Sequence, residues 1–231
     1  MRSLNPAAAS TTSSMARSVG ARLAVPARAQ TPAALLSRPC TVGLLALQGD
    51  FDLHRQAVQN LGHHAREIRT VGDLAGVDCL IMPGGESTTM RKLMVLGGLF
   101  DAIPRFAQDH PIMATCAGLI LLSRGIEGSP DETTLGLIDC TVSRNSYGRQ
   151  YHSFRQTGSV RLPSGESAFE MVFIRAPRII QVGSSVETMG RLGNEPTLIR
   201  RGNILAMTFH PELARDDRIH EFFLTRVTAR G

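Results

Sequence analysis

Three residues of this 231-residue chain carry the side-chain types of a nucleophilic acyl-transfer site: Cys116, His210 and Glu212. A thiolate attacks a carbonyl carbon readily, but it needs a base to take its proton and donors to hold the oxyanion that forms. Cys116 lies in Ala114-Thr115-Cys116-Ala117-Gly118, close to the Gly-x-nucleophile-x-Gly pattern of a tight strand-to-helix elbow, with Ala114 in the first Gly position. At such a bend the helix N-terminus favours a thiolate. The backbone N–H of Ala117 points to the same place and can hold an oxyanion. His210-Pro211-Glu212 closes an apolar run. Residues two apart on an extended segment point to one side, so Glu212 can bond one ring nitrogen of His210 and fix its tautomer. The other nitrogen is then free to move a proton to and from Cys116. Taken singly, the cysteine reads as a buried structural thiol and the His-Pro-Glu as a turn after a strand. Their combination in one α/β pattern favours chemistry.

A third segment, Pro83-Gly84-Gly85-Glu86-Ser87, follows another apolar run, where ligands gather in parallel-sheet proteins. Its glycines let backbone N–H groups at Gly85 approach a developing oxyanion. It lacks the Gly-Lys-Ser/Thr ending of a P-loop, and a plain turn is the alternative. Cys40, Cys79 and Cys140, the other three of four cysteines, are scattered without a CxxC pair. Neither a zinc site nor a disulfide framework is expected, and a reducing compartment is. Cys79 and Cys140 sit inside apolar runs and read as structural. The histidines His54, His63, His64, His110, His152 and His220 lack a partner like Glu212, and most read as surface residues.

The elements that must position these groups alternate. Apolar runs at Val42–Leu47, Asp78–Met82 and Pro111–Thr115, with a weaker one at Glu67–Thr70, read as strands. Helical spacing covers Phe51–Leu61, Ser87 (as cap) to about Leu96, Leu99–Gln108 around Pro104, and Ala117–Arg124. This order predicts an α/β fold of three layers, a mainly parallel, doubly wound sheet flanked by helices. After Leu135 shorter strands follow at Ile138–Val142, Ser159–Leu162, Met171–Ile174, Ile179–Val182 and Ser185–Met189. They predict an antiparallel extension or a small subsheet. Ile204–Phe209 is a strong strand and Asp217–Val227 a closing helix.

Composition excludes more than it assigns. Hydrophobic residues at 42 % and charged residues at 19 % are a globular balance, and the length suits one domain. No apolar run reaches the roughly 18 residues that span a bilayer, so a soluble protein is expected. The net charge of +5 matches Arg2, Arg17, Arg22, Arg28 and Arg38, all within residues 1–40, where no acid occurs. The body, residues 41–231, is formally neutral, which argues against a nucleic-acid face. The leader, rich in Ala, Ser, Arg and Pro, fits an organellar transit peptide, a disordered tail, or sequence upstream of a start such as Met15. A cytoplasmic protein is expected, with a plastid or mitochondrion the alternative if the leader is a transit peptide.

Seven stretches together resemble the class I glutamine amidotransferases with a Cys-His-Glu triad, and among them the glutaminase subunits of pyridoxal 5′-phosphate synthase. They are Leu45-Ala46-Leu47-Gln48-Gly49, Pro83 to Met90 (PGGESTTM), Thr115 to Leu122, Arg144 to Gln150 (RNxxGRQ), Ser153-Phe154, Phe173 to Pro177 (FIRAP) and Phe209 to Leu213. The resemblance covers about Val42 to the end of the last helix. It implies Cys116 as nucleophile with His210 and Glu212, and glutamine binding by Gly85, Glu86, Ser87, Arg144, Ile174 and Arg175. It implies an oxyanion site at Gly85 and Ala117, no metal and no cofactor. The implied substrate is L-glutamine, split to glutamate and ammonia. The implied partner is the PdxS-type synthase barrel in a large hetero-oligomer, met by Gln48, Gly49 and the first helix. On that helix Leu53-His54 stands where the family usually shows Glu-His. RNxxGRQ and FIRAP argue against the amidotransferase of histidine biosynthesis, and the complete triad against a non-catalytic relative.

Overall fold

In the computed structural model, residues 39–49, 51–144 and 153–228 are described, the last three as backbone only. The leader before residue 39 and Asn145–Gln150 of RNxxGRQ lie outside the described residues, as does His152. The strands are β1 (Thr41–Leu45), β2 (His64–Ile68), β3 (Cys79–Met82), β4 (Ile112–Thr115), β5 (Ser123–Ile126), β6 (Ile138–Ser143), β7 (Ser153–Leu162), β8 (Gly165–Ile174), β9 (Arg178–Val182), β10 (Glu187–Leu192), β11 (Glu195–Arg201) and β12 (Ile204–Met207). The helices are α1 (Phe51–Asn60), α2 (Ser87–Leu96), α3 (Leu99–Asp109), α4 (Ala117–Leu122) and α5 (Arg218–Thr228). Short 3-10 turns occupy Val71–Leu74 and Pro211–Leu213.

A nine-stranded sheet runs in the order β2-β1-β3-β4-β12-β11-β10-β7-β8. Its first five strands pair in parallel, and the rest are antiparallel. The predicted extension is therefore continuous with the main sheet, and β5-β6-β9 form a separate small sheet. Because successive strand residues point to opposite faces, Leu80 and Met82 join an apolar layer with α2, α3 and α4, through Met90, Met94, Leu99 and Leu122. Cys79 and Ile81 join the opposite layer with Val58 of α1 and Ile219 and Phe223 of α5. The central strands β1, β3, β4 and β12 are almost wholly buried, which explains their near-continuous apolar sequences.

Several boundaries differ from the sequence expectation. The helix expected at Ala117–Arg124 ends at Leu122, because the Ser123 hydroxyl donates to the Ile120 carbonyl at 2.8 Å and the chain turns into β5. The cap of α2 is Glu86, not Ser87: its carboxylate accepts from the backbone N–H of Thr88 and Thr89 at 2.9 and 2.7 Å. The second strand begins at His64 rather than Glu67, drawn into register by pairing with Thr41. β7 and β8 form a hairpin of two ten-residue strands, each longer than its apolar stretch. β11 carries Pro196 near its start and enough charge to hide its alternation from sequence.

β3 and α4 approach each other closely at Gly118. A Cβ on Gly118 would lie 2.4 Å from the Met82 carbonyl oxygen, which is backbone and cannot give. Gly118→Ala is expected to destabilise the protein by about 1–3 kcal/mol through overpacking, measurable as a lowered urea midpoint at unchanged slope.

Candidate active site

The parallel sheet delivers two strand ends side by side. β4 and β12 are neighbours with Thr115 opposite Met207, so the residues that follow each strand emerge at the same carboxyl edge. After β4 the chain makes a sharp bend at Cys116, whose φ of 49° and ψ of −104° lie outside the ordinary regions for a side-chain-bearing residue. The bend is held by hydrogen bonds: Cys116 N–H donates to the Met207 carbonyl at 2.9 Å, and its carbonyl accepts from Ile120 N–H at 3.2 Å. Arg175 (φ 43°) is the other non-glycine residue with positive φ among the described residues. The two strained positions are neighbours in space, since Cys116 Sγ lies 3.8 Å from the carbonyl oxygen of Ile174. Such strain persists only where surrounding contacts enforce it, and it concentrates at working sites.

After β12, Thr208 and Phe209 lead to His210, anchored by its N–H to the Val172 carbonyl at 2.8 Å. Phe209 packs tilted and edge-on against Phe169 and Phe173 beneath it. Pro211 then opens a 3-10 turn that swings Glu212 back, and His210 Nδ1 meets Glu212 Oε1 at 2.7 Å. The Glu212 side chain is 2 % exposed. Burial pushes its carboxyl up, but the charge of His54 and the bond to His210 outweigh burial and bring it down to about 2. Burial likewise opposes the charged form of His210, whereas interactions with Cys116 and Glu212 carry its imidazole up to about 10. Nε2, the nitrogen away from Glu212, makes no aligned hydrogen bond to a protein group. The arrangement is that of an imidazole oriented by a carboxylate on one side and open to a thiol on the other.

The glycine loop after β3 lies against this imidazole. A Cβ on Gly84 would stand 2.3 Å from His210 Cε1, so only glycine fits. Gly85 is exposed with φ of 158°. Glu86 N–H donates to Gln48 Oε1 at 2.6 Å, and Gly49, at φ of 100°, approaches so closely that a Cβ would meet the Gly84 carbonyl oxygen at 1.9 Å. Gln48 and Gly49 therefore brace the loop. The Glu86 carboxylate, held at about 2 chiefly by the Thr89 hydroxyl, is committed to capping α2. Ser87 is buried.

Arg144, just past β6, forms a bidentate ion pair with Glu132, with Nη1 2.7 Å from Oε2 and Nη2 paired to Oε1. Arg175 is exposed. Cys40, Cys79 and Cys140 are buried thiols, and Cys40 Sγ lies 2.9 Å from His63 Nδ1. Burial, followed by the charge of Asp139, pushes the Cys140 thiol up to about 12, and burial pushes Cys79 well above its ordinary value. Both fit the structural role read from sequence.

The histidines are where the sequence reading fails. His54, His63 and His220 are buried, not on the surface. His54 Nε2 lies 3.3 Å from Glu212 Oε2, and its Nδ1 is 2.9 Å from His220 Nε2. A signal existed: His54 shares helical spacing with Phe51 and Val58, the inward face of α1. Among the described residues, no group of His, Cys, Asp and Glu side chains has the geometry to hold a metal ion. No helix there is long and apolar enough to cross a membrane.

Comparison with known proteins gives a consistent result. The SNO glutamine amidotransferase family matches residues 44–229. A pyridoxal 5′-phosphate synthase subunit PdxT from Pseudothermotoga lettingae is 46 % identical over 185 residues, covering 80 % of this chain and 94 % of its own. One from Thermus thermophilus is 47 % identical, with coverage of 79 % and 95 %. A solved glutamine amidotransferase superposes with a TM-score of 0.76 at 43 % identity, covering 81 % of this chain and 98 % of its own. PurLQS from Thermotoga maritima, at 13 % identity and a TM-score of 0.63, covers 82 % of this chain and 99 % of its own and shares the fold.

The opposed shifts of Glu212 and His210 define a pH window. Glu212, lowered from 4.5 to about 2, contributes stability that is present above pH 4.5 and lost as pH falls through 2. His210, raised from 6.5 to about 10, contributes stability present below pH 6.5 and lost as pH rises through 10. Glu212→Gln is expected to cost about 3 kcal/mol between pH 4.5 and 6.5, with the deficit narrowing on either side. Urea unfolding of both proteins across pH 3 to 10 measures it.

Proposed function

The chain belongs to the SNO glutamine amidotransferase family, and we propose that it is the glutaminase subunit of a pyridoxal 5′-phosphate synthase, with Cys116, His210 and Glu212 as its catalytic residues. The observation that carries this reading is the 2.7 Å bond from Glu212 to His210 beside a cysteine held in a strained elbow. It splits L-glutamine into L-glutamate and ammonia and hands the ammonia to a synthase subunit for vitamin B6 biosynthesis.

The Cys116 thiolate attacks the side-chain amide carbon of glutamine, forming a carbon–sulfur bond and a tetrahedral oxyanion. Backbone N–H groups at Gly85 and Ala117 receive that oxyanion. Collapse breaks the carbon–nitrogen bond, and the imidazolium of His210 protonates the leaving nitrogen, which departs as ammonia. Water, losing its proton to the now neutral His210, then attacks the thioester and releases glutamate, returning the thiol–imidazole pair. Glu212 stays ionised throughout and holds the ring by Nδ1. The chemistry uses no cofactor or metal.

Free glutamine brings an α-carboxylate and an α-ammonium to the site. Arg144 and Arg175 are the cations assigned to the carboxylate, with Ile174 and the Gly85–Ser87 loop completing the pocket. Arg144 is paired with Glu132, so the substrate carboxylate shares or replaces that partner. The PdxS-type barrel docks on the side of Gln48, Gly49 and α1, in a large hetero-oligomer. Because Gln48 and Gly49 brace the Gly84–Glu86 loop, docking there bears directly on the oxyanion site. Residues 41–231 form the glutaminase domain and 1–40 a leader; the enzyme works in the cytoplasm, or in an organelle if the leader is a transit peptide.

Cys116→Ala is expected to abolish glutamine-dependent ammonia release while still assembling with the synthase subunit; ammonia release at the wild-type rate overturns the assignment. Gly84→Ala, which drives a methyl group into His210, is expected to lower kcat at least tenfold, as displacement of catalytic groups by an ångström does. Steady-state kinetics with the synthase subunit present measures both.

A further inference from the structure

Behind the candidate triad two imidazoles are buried without any access to water. His54 of α1 and His220 of α5 are each 0 % exposed, and neither belongs to the chemistry described above. An imidazole shut away from solvent costs free energy unless its polar atoms are used. Here they are used in series. His220 Nε2 meets His54 Nδ1 at 2.9 Å, and His54 Nε2 lies 3.3 Å from Glu212 Oε2 and 3.5 Å from the Thr115 hydroxyl. Glu212 Oε1 meets His210 Nδ1. Four side chains from α5, α1 and the turn after β12 thus form one row ending at the nitrogen that faces Cys116.

We propose that His54 is a positioning residue for glutamine hydrolysis, backed by His220, that fixes the second oxygen of Glu212 so the first stays aligned on His210. The inference rests on the proposed glutaminase reading of Cys116, His210 and Glu212. Its physical basis is that a buried carboxylate bonded through one oxygen is free to rotate about its side-chain torsion. The 3.3 Å approach of His54 is an ionic contact rather than an aligned hydrogen bond, for Oε2 has no partner in hydrogen-bond geometry. Its electrostatic effect is nonetheless the leading influence that offsets burial and keeps Glu212 ionised.

The row also has a polarity. Burial, followed by the charge of His54, brings His220 down to about 3, so His220 is neutral at working pH. A charged His54 carries protons on both ring nitrogens, so its Nδ1–H donates to His220 Nε2 and its Nε2–H faces Glu212. That order leaves Glu212 to accept from His210 Nδ1–H, so that Nε2 is the nitrogen that exchanges a proton with Cys116. The titratable groups facing His54 are Glu212 and His220, with His210 and Cys116 beyond them. On its own helix Asp52 and Arg55 pair with each other at 3.0 Å at the surface.

The test uses the full chain with its synthase subunit and measures ammonia release from glutamine against pH for wild type, His54→Phe, His54→Gln and Cys116→Ala. His54→Phe fills the space without a donor. His54→Gln keeps an N–H donor toward Glu212. Expected is a fall in kcat of about 10–100-fold for His54→Phe, as for residues that orient a catalytic ligand from behind, with KM within about twofold. Removing the positive neighbour of Glu212 moves the acid limb of the pH profile upward, and His54→Gln recovers most of the lost kcat. A His54→Phe protein with wild-type kcat and an unmoved acid limb overturns the proposal. Equal losses in both variants with that limb unmoved overturn it as well. Should His54→Phe fail to fold, the acid limb of His54→Gln decides: an upward shift supports the proposal, and a wild-type limb with wild-type kcat overturns it. Cys116→Ala separates the two levels, since ammonia release by that variant defeats the underlying reading and leaves the His54 result without bearing on it.

Discussion

A carboxylate with almost no access to water is the constraint around which this protein is arranged. Glu212 stays charged only because imidazoles stand on both sides of it, His210 at 2.7 Å and His54 at 3.3 Å. Either removed, the remaining charges face an apolar interior at a cost of several kcal/mol. The charge on Glu212 in turn stabilises the imidazolium of His210, which is the form that can protonate a leaving amine. Ionisation, orientation and tautomer are thereby set by one buried cluster.

Such a cluster needs rigid supports from several directions, and the doubly wound sheet supplies them. Adjacent parallel strands β4 and β12 bring Cys116 and His210 out at one edge. α1 and α5 cover the same sheet face and supply His54 and His220. The loop after β3 closes from the other side, with Gly84 against the imidazole and Gly118 against the Met82 carbonyl. At Gly84 a single methyl group would intrude on the site, and at Gly118 it would meet the backbone of β3. The backbone strain at Cys116 is held by the hydrogen bonds from its N–H to the Met207 carbonyl and from Ile120 N–H to its own carbonyl.

Much of this was legible from residue order. The central strands are buried on both faces, so their apolar runs stand out, and the elbow at Cys116 follows from local geometry. Glu212 meets His210 as expected, but from a 3-10 turn rather than the extended segment read from sequence. What sequence concealed has identifiable causes. β11 and the outer parts of β7 and β8 are partly exposed antiparallel strands whose charged residues mask alternation. The Glu86 cap was hidden because Ser87 is the commoner capping type. His54 and His220 were misjudged because a polar residue on an inward helix face is informative only when its partner is known. That partner, Glu212, lies far along the chain and meets them only through the fold. Arg144 shows the converse: its resemblance-based role is a substrate contact, yet its visible partner is Glu132.

The central claim is that the sulfur of Cys116 becomes covalently acylated during turnover. The most direct measurement is acid quenching of the enzyme and its synthase subunit during steady-state turnover of isotopically labelled glutamine, followed by peptide mapping. The account predicts label on the peptide bearing Cys116, released by hydroxylamine as a thioester is, and absent from Cys116→Ala. Ammonia release with no label at Cys116, or label on the peptides of Cys40, Cys79 or Cys140 instead, would contradict it.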